Sequence, residues 1–214
     1  MEKCVPRNGP LHRVLVPSTA PSRTIAGATI RRPSKHVALT FFSSIPDLLQ
    51  KLDLFRSGPR YYLTLYLETV DTANNGSTLD LLSLISEASP KLASTLTGLT
   101  LLLDDRHGMG KLGPRNLGYL DSLESLHGTS VLKTALASLS LSVKATRVLV
   151  AGSWFHAFGH QGGYLVGSAG SIECLSWDAK AFVFSTPPMP LQACMSDRML
   201  CLLSGGDSFN GVRR

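Results

Sequence analysis

The sequence predicts an α/β fold built around a mostly parallel sheet. Two segments carry most of that expectation: LLLDDRHGMGKLGPRNLG (101–118) and VLVAGSWFHAFGHQGGYLVG (148–167). Each is a short apolar run ending in polar, Gly-rich sequence, the way a buried parallel strand delivers functional groups to the carboxyl edge of a sheet. The third observation is alternation: apolar runs of strand length take turns with stretches of helical spacing, as in βαβ units. With 214 residues, 43% of them hydrophobic, the chain is long enough to bury one substantial core.

The elements follow in order. Arg13–Val16 and Thr24–Ile30 hold short β-prone stretches in a polar background. In Ile45–Phe55, Leu48, Leu49, Leu52 and Phe55 share one helical face, and Gly58-Pro59 ends the pattern. Tyr61–Leu67 (YYLTLYL) reads as a buried strand. Asn74-Asn75-Gly76 is a turn, and Thr78–Ala88 a helix with Leu79, Leu82 and Ile85 inward. Leu99–Leu103 is a strand leading directly into Asp104. Val131–Leu141 reads as a helix, and Val148–Ala151 and Phe182–Phe184 as strands. Pro188–Leu203 reads as a helix offering Met189, Leu191, Cys194, Met195, Met199 and Leu202 to a core.

Charge and cysteine usage narrow the function classes. The net charge of +6 resides in residues 1–35, where Lys3, Arg7, Arg13, Arg23, Arg31, Arg32 and Lys35 face one acid, Glu2. The rest is balanced and offers no extended basic face for phosphates, which argues against nucleic-acid binding. The basic head, rich in Ser, Thr, Pro and Arg, has transit-peptide composition, and its prolines break a continuous helix. The expected organisation is a basic, partly disordered leader over 1–35, an α/β domain over 36–203 and a loose tail over 204–214. No 18-residue apolar window is long enough for a transmembrane segment. Cys4, Cys174, Cys194 and Cys201 show no paired ligand spacing, so a structural zinc site or disulfide framework is not expected. His156 and His160 have the i, i+4 spacing of a metal pair, but Gly159 lies between them and no third ligand is evident.

The chemistry concentrates in three stretches. Taken alone, Asp104-Asp105-Arg106-His107 can be a solvated strand end with Asp105 and Arg106 exposed. The full run Asp104-Asp105-Arg106-His107-Gly108-Met109-Gly110-Lys111-Leu112-Gly113, continued by Pro114 and Gly118, resembles the Asp-Glu-Ala-His-Ser-x-Gly-x-x-Gly pattern of the α-oxoamine synthases. Gly152-Ser153-Trp154-Phe155-His156-Ala157-Phe158-Gly159, followed by Gly162-Gly163-Tyr164, resembles that family's Gly-Thr-x-Ser/Thr-Lys-x-x-Gly and Gly-Gly-Tyr/Phe. Phe182-Val183-Phe184-Ser185-Thr186-Pro187-Pro188 resembles its Phe-Ser-Thr/Ala-x-x-Pro stretch. The resemblance runs from about Arg23 to Leu203 and is specific in these three stretches. Asp104 and His156 are 52 residues apart, more than is usual in the family, and the excess is expected as an insertion in 121–147.

The resemblance implies part of the large domain of a pyridoxal-phosphate (PLP)-dependent transferase of fold type I. Asp104 takes the place of the carboxylate that pairs with the protonated ring nitrogen, holding that charge and making the ring an electron sink. His107 takes a place near ring and substrate. Ser153 matches a hydroxyl on the cofactor phosphate. Thr186, with Ser185 second, matches a hydroxyl reaching the neighbouring subunit's phosphate, or else caps the following helix. Two departures stand out: Arg106 replaces a small residue, and Gly108 a serine. A third is decisive chemically. His156 stands where the family has the lysine whose amine forms the Schiff base, and imidazole can serve as a base but not form that link. PLP binding is therefore expected to be non-covalent. Gly162, Gly163 and Gly167 are read as turn and close-packing residues.

Serine palmitoyltransferase, which joins serine to a fatty acyl thioester, pairs a lysine-bearing subunit with a lysine-less relative. The missing lysine makes this chain resemble the second, implying a lysine-bearing catalytic paralogue as heterodimer partner. The cytoplasmic face of the endoplasmic reticulum is the expected location, with mitochondrion or cytoplasm as alternatives. Two competing readings stay open: a degenerate fragment without cofactor, and a PLP enzyme using His156 as base. A partial domain is also expected to expose apolar surface.

Overall fold

A computed structural model of the chain describes residues 11–22, 24–26, 37–55, 59–72, 76–92, 96–139, 145–179, 183 and 186–203. Its strands are β1 (Leu11–Pro17), β2 (Val37–Phe42), β3 (Tyr61–Glu68), β4 (Val70–Asp71), β5 (Ser77–Thr78), β6 (Leu96–Asp104), β7 (Thr146–Ser153) and β8 (Gly163–Val166). Its helices are α1 (Ile45–Phe55), α2 (Leu81–Leu92), α3 (Tyr119–His127), α4 (Val131–Ala137), α5 (Trp154–Phe158), α6 (Ala169–Asp178) and α7 (Pro190–Leu203). The main sheet has the order β2-β1-β3-β6-β7-β8, and β4 and β5 form a separate pair. The expected α/β class with a mostly parallel sheet is present: β1 runs parallel to both β2 and β3, and β8 is the antiparallel edge.

The chain divides into two compact units: residues 1–102 with 132–148, and 103–131 with 149–214. In the first, β1 pairs Leu11 with Tyr61 of β3, and His12 with Val37 of β2. The alternating pattern of β3 buries Tyr61, Leu63, Leu65 and Leu67, while α1 contributes Leu48, Leu52 and Phe55 and α2 contributes Leu81, Leu84 and Ile85. Each of these larger side chains adds about 1.5–3 kcal/mol when fully buried. A second cluster forms around Val16, Ala20 and Tyr66. Asp53 and Lys91 form an ion pair linking α1 to α2. The small sheet is closed by the Leu79 N–H donating to Thr69 O (2.9 Å).

The strand β1 falls within the stretch read as a leader and contains the β-prone Arg13–Val16. Leu15 and Val16 are buried, His12 Nε2 meets Thr64 Oγ1 at 2.9 Å, and the Arg13 guanidinium lies over the Phe55 ring at 3.9 Å. Its polar and charged residues are held by partners 42 or more positions away in sequence. Residues 1–10 and 27–36 of that stretch, and the tail 204–214, lie outside the described residues.

In the second unit, β6 ends at Asp104, a loop runs to α3, and β7 passes through Ser153 into α5. β8 then pairs back on β7, Val150 opposite Val166 and Ser153 opposite Gly163. α6 follows, an element without clear apolar periodicity in its sequence AGSIECLSWD. The core expected of α7 is not formed: none of its residues is buried, and Leu191 is 67% exposed. Trp177 of α6 is 77% exposed. The apolar side of these helices is uncovered within the described residues. The expected strand Phe182–Phe184 falls outside them except for Val183, which is exposed. Cys174, Cys194 and Cys201 form no disulfide among the described residues.

Candidate functional site

The site is assembled at the ends of β6 and β7, within the second unit. The strand pairing extends past β6, where the Asp105 N–H donates to Ala151 O at 2.7 Å. Two carboxylates then hold the loop. Asp105, 2% exposed, accepts the Tyr119 N–H on Oδ2 at 2.9 Å, and its carbonyl accepts from Gly108 and Met109 N–H. Asp121 accepts from the Arg115 N–H (2.9 Å), the Arg115 Nε–H (2.8 Å) and the Leu117 N–H (3.4 Å). Burial works to raise the Asp121 pKa, but these hydrogen bonds and the Arg115 charge outweigh it, holding the pKa below the ordinary carboxylate value.

The loop's glycines answer to these acids. Gly118 has φ 99° and ψ −164°, a region open essentially to glycine alone. A Cβ there would overlap Asp105 Oδ2, and one at Gly108 would overlap Asp105 Oδ1. The reading of an exposed Asp105 and Arg106 is thereby corrected. Asp105 is a buried bracket for the loop, recognisable only through glycines up to thirteen residues downstream.

Asp104 stands at the end of β6 with its side chain 12% exposed. Arg106 folds back on it: the Arg106 N–H donates to Asp104 Oδ1 at 3.1 Å, and Nη1 lies 3.6 Å from Oδ2. The Arg106 side chain is itself only 19% exposed. The rings of His107 and His156 meet with centroids 4.5 Å apart and planes at 46°. Burial first, then the charges of Arg106, His156 and Lys111, lower the His107 pKa, against a smaller upward pull from Asp104. His107 is therefore neutral at neutral pH and able to accept a proton. Asp104, His107 and His156 thus share one electrostatic neighbourhood.

Ser153 N-caps the short helix α5, its Oγ accepting the Phe155 N–H at 3.2 Å, and Gly159 ends that helix in the left-handed region. The Tyr164 ring presses on Gly152, where a Cβ would overlap it, and packs against Trp154 at 4.9 Å. Burial raises the Tyr164 pKa strongly and the Asp105 and Asp104 charges add to it, so the phenol keeps its proton. A Cβ at Gly163 would meet Gly152 O at 2.5 Å. Gly162, against Trp154, and Gly163 pack closely, as read from sequence. Tyr164 was within a quoted motif but not among the expected site residues; the signal was its position directly after Gly162-Gly163.

Thr186 lies exposed ahead of α7, and among the described residues no hydrogen bond joins it to the other expected site residues. Nor does it cap that helix: the Met189 N–H donates to Gln192 Oε1 (3.0 Å), and Pro190 takes the first helical position. Ser185 lies outside the described residues. His160 stacks on Trp154 and meets Gln161 O through Nδ1, so the two histidines of α5 and its exit have different partners. No cluster of three metal-binding side chains occurs among the described residues, nor a helix long and apolar enough to cross a membrane.

No protein-family model matches the chain. Aminotransferase ALT4 of Alternaria alternata is 45% identical over 198 residues, 92% of this chain and 24% of that protein. Aminotransferase FUM8 of Gibberella moniliformis is 40% identical over 203 residues, 93% of this chain and 36% of its own length. The 8-amino-7-oxononanoate synthase of Dechloromonas aromatica is 30% identical over 108 residues, 50% of this chain and 24% of that enzyme. The chain therefore spans only about a quarter to a third of these relatives. A solved serine palmitoyltransferase from S. paucimobilis, holding PLP, superposes with TM-score 0.63 at 18% identity, over 91% of this chain and 42% of that one. That likeness shows the fold, the α/β large domain expected from the sequence. The cofactor expected from the sequence is the one that structure holds. The relatives and the fold agree: the chain belongs to the α-oxoamine synthase family of PLP-dependent transferases.

Proposed function

We propose that this chain is a non-catalytic, serine palmitoyltransferase-like subunit that works beside a lysine-bearing paralogue, in the condensation of an amino acid with a fatty acyl-CoA. The observation that carries the reading is His156, an imidazole set 4.5 Å from the His107 ring where the family resemblance has an amine. Uncovered apolar side chains on α6 and α7 add support, since such surface favours association. The same reading puts the chain at the cytoplasmic face of the endoplasmic reticulum.

The donor set fits PLP as a non-covalent ligand. Asp104 offers a mostly buried carboxylate to the ring nitrogen. Ser153 accepts from the Phe155 N–H and so keeps its own hydroxyl proton to donate to a phosphate. His107 and His156 would lie together beside the cofactor, and Thr186 would serve a phosphate held by the partner. When bound, the cofactor supplies an electron sink. What the chain itself supplies is a charge opposite the ring nitrogen, hydroxyl donors, a protonated Tyr164 phenol and an imidazole able to take a proton, but no amine to link to the aldehyde. The imidazole pair favours one second reading, a PLP enzyme using His156 as base.

Native mass spectrometry of the tagged chain purified from its own cells tests this. A stoichiometric complex with a lysine-bearing paralogue is the expected result. A lone chain carrying PLP and turning over would replace the proposal with the His156 enzyme. A lone chain without cofactor would leave the degenerate-fragment reading.

A further inference from the structure

We propose that Arg106 is a gate on Asp104, a residue that sets how tightly this chain holds PLP; this rests on the reading of the β6–β7 edge as a PLP pocket. Both oxygens of the Asp104 carboxylate face the same residue, Oδ1 its backbone N–H at 3.1 Å and Oδ2 its guanidinium at 3.6 Å. With both side chains largely buried, the pair is shielded from water and salt. A protonated ring nitrogen approaching Asp104 therefore meets a carboxylate already matched by a cation. The loop that carries the pair is tied by hydrogen bonds. Its backbone is tied by the Gly110 N–H to Asn116 O (2.9 Å), the Gly118 N–H to Leu112 O (3.0 Å) and the buried Asp105 bracket. Rotation of the Arg106 side chain takes the cation off Oδ2, while the Arg106 backbone N–H stays on Oδ1.

The test is equilibrium binding of PLP to the full chain, followed through quenching of Trp154 fluorescence. The variants are Arg106→Ala, the bulkier neutral Arg106→Met in case the first fails to fold, and each combined with Asp104→Asn. Removing the cation should tighten binding roughly tenfold or more, the scale of one charge-assisted contact, and Asp104→Asn should abolish the gain. Unchanged or weaker binding by both neutral variants, alongside measurable binding by the unaltered chain, would overturn the gate and leave the pocket standing. If no variant binds PLP, and Arg106→Ala/His156→Lys yields no borohydride-fixed adduct, the pocket reading itself falls and takes the gate with it.

Discussion

Substituting Gly118 by alanine should cost far more than a surface change, and the structure says how the cost divides. One part is local: at φ 99° and ψ −164° a Cβ strains the backbone by about 1–3 kcal/mol. The other is steric, because that Cβ would overlap Asp105 Oδ2, an overpacking of about 1–3 kcal/mol. Asp105→Ala alone leaves the buried Tyr119 N–H without its acceptor, again about 1–3 kcal/mol. In the double variant the overlap is gone while the other two costs remain. The pair should therefore be less destabilised than the sum of its singles by about 1–3 kcal/mol. Urea unfolding followed by tryptophan fluorescence reads the right part of the molecule, since Trp154 and Trp177 both lie in the second unit. Additivity of the single costs within about 0.5 kcal/mol would refute the claim that Asp105 and Gly118 meet.

Three more outcomes are expected. His156→Lys should bring PLP into a covalent, borohydride-reducible link visible by mass, and a clean unmodified mass would count against a surviving pocket. Asp121 has a depressed folded-state pKa, so its contribution is complete above the unfolded carboxylate value and fades as pH falls through the lower folded value. Asp121→Asn should cost about 1–3 kcal/mol at neutral pH and flatten the acid limb of the stability profile; an unchanged limb would remove Asp121 from the network. Leu15→Ala, in the strand β1, should destabilise the first unit by about 2–5 kcal/mol, and a loss below about 0.5 kcal/mol would restore residues 11–17 to a leader.

Where the fold was legible, local pattern decided it. Ile45–Phe55 has the bounds its apolar spacing implies, and β3, β6 and β7 contain the expected runs with one to three residues added at their ends. What stayed hidden depended on distant partners. The β-prone Arg13–Val16 lies in the strand Leu11–Pro17, but what seats its histidine and arginine in a sheet is Thr64, Phe55 and Tyr61, far away in sequence. Asp105 looks like a surface acid until Gly118 is known to turn beneath it. The expected core face of α7 fails for the converse reason: its methionines and leucines are apolar, but nothing among the described residues covers them.

This division bears on how the site motif is to be weighed. Gly108, Gly113 and Gly118 are required by the buried acids Asp105 and Asp121, Gly152 by the Tyr164 ring, and Gly118 also by a backbone region closed to other residues. Those demands come from packing, and they persist whether or not a cofactor is ever bound. Retention of the glycine pattern therefore testifies to the fold of the β6–β7 edge and says little about chemistry. The chemical information sits in three side chains that packing does not dictate. Asp104 keeps the carboxylate, Arg106 engages it internally, and His156 offers a proton acceptor in place of an amine. On the proposed reading, Arg106 and His156 depart from the family's catalytic pattern while the glycine scaffold matches it. A subunit selected for its shape beside an active partner would change in that order, because an altered scaffold would cost the assembly and an altered catalytic side chain would not.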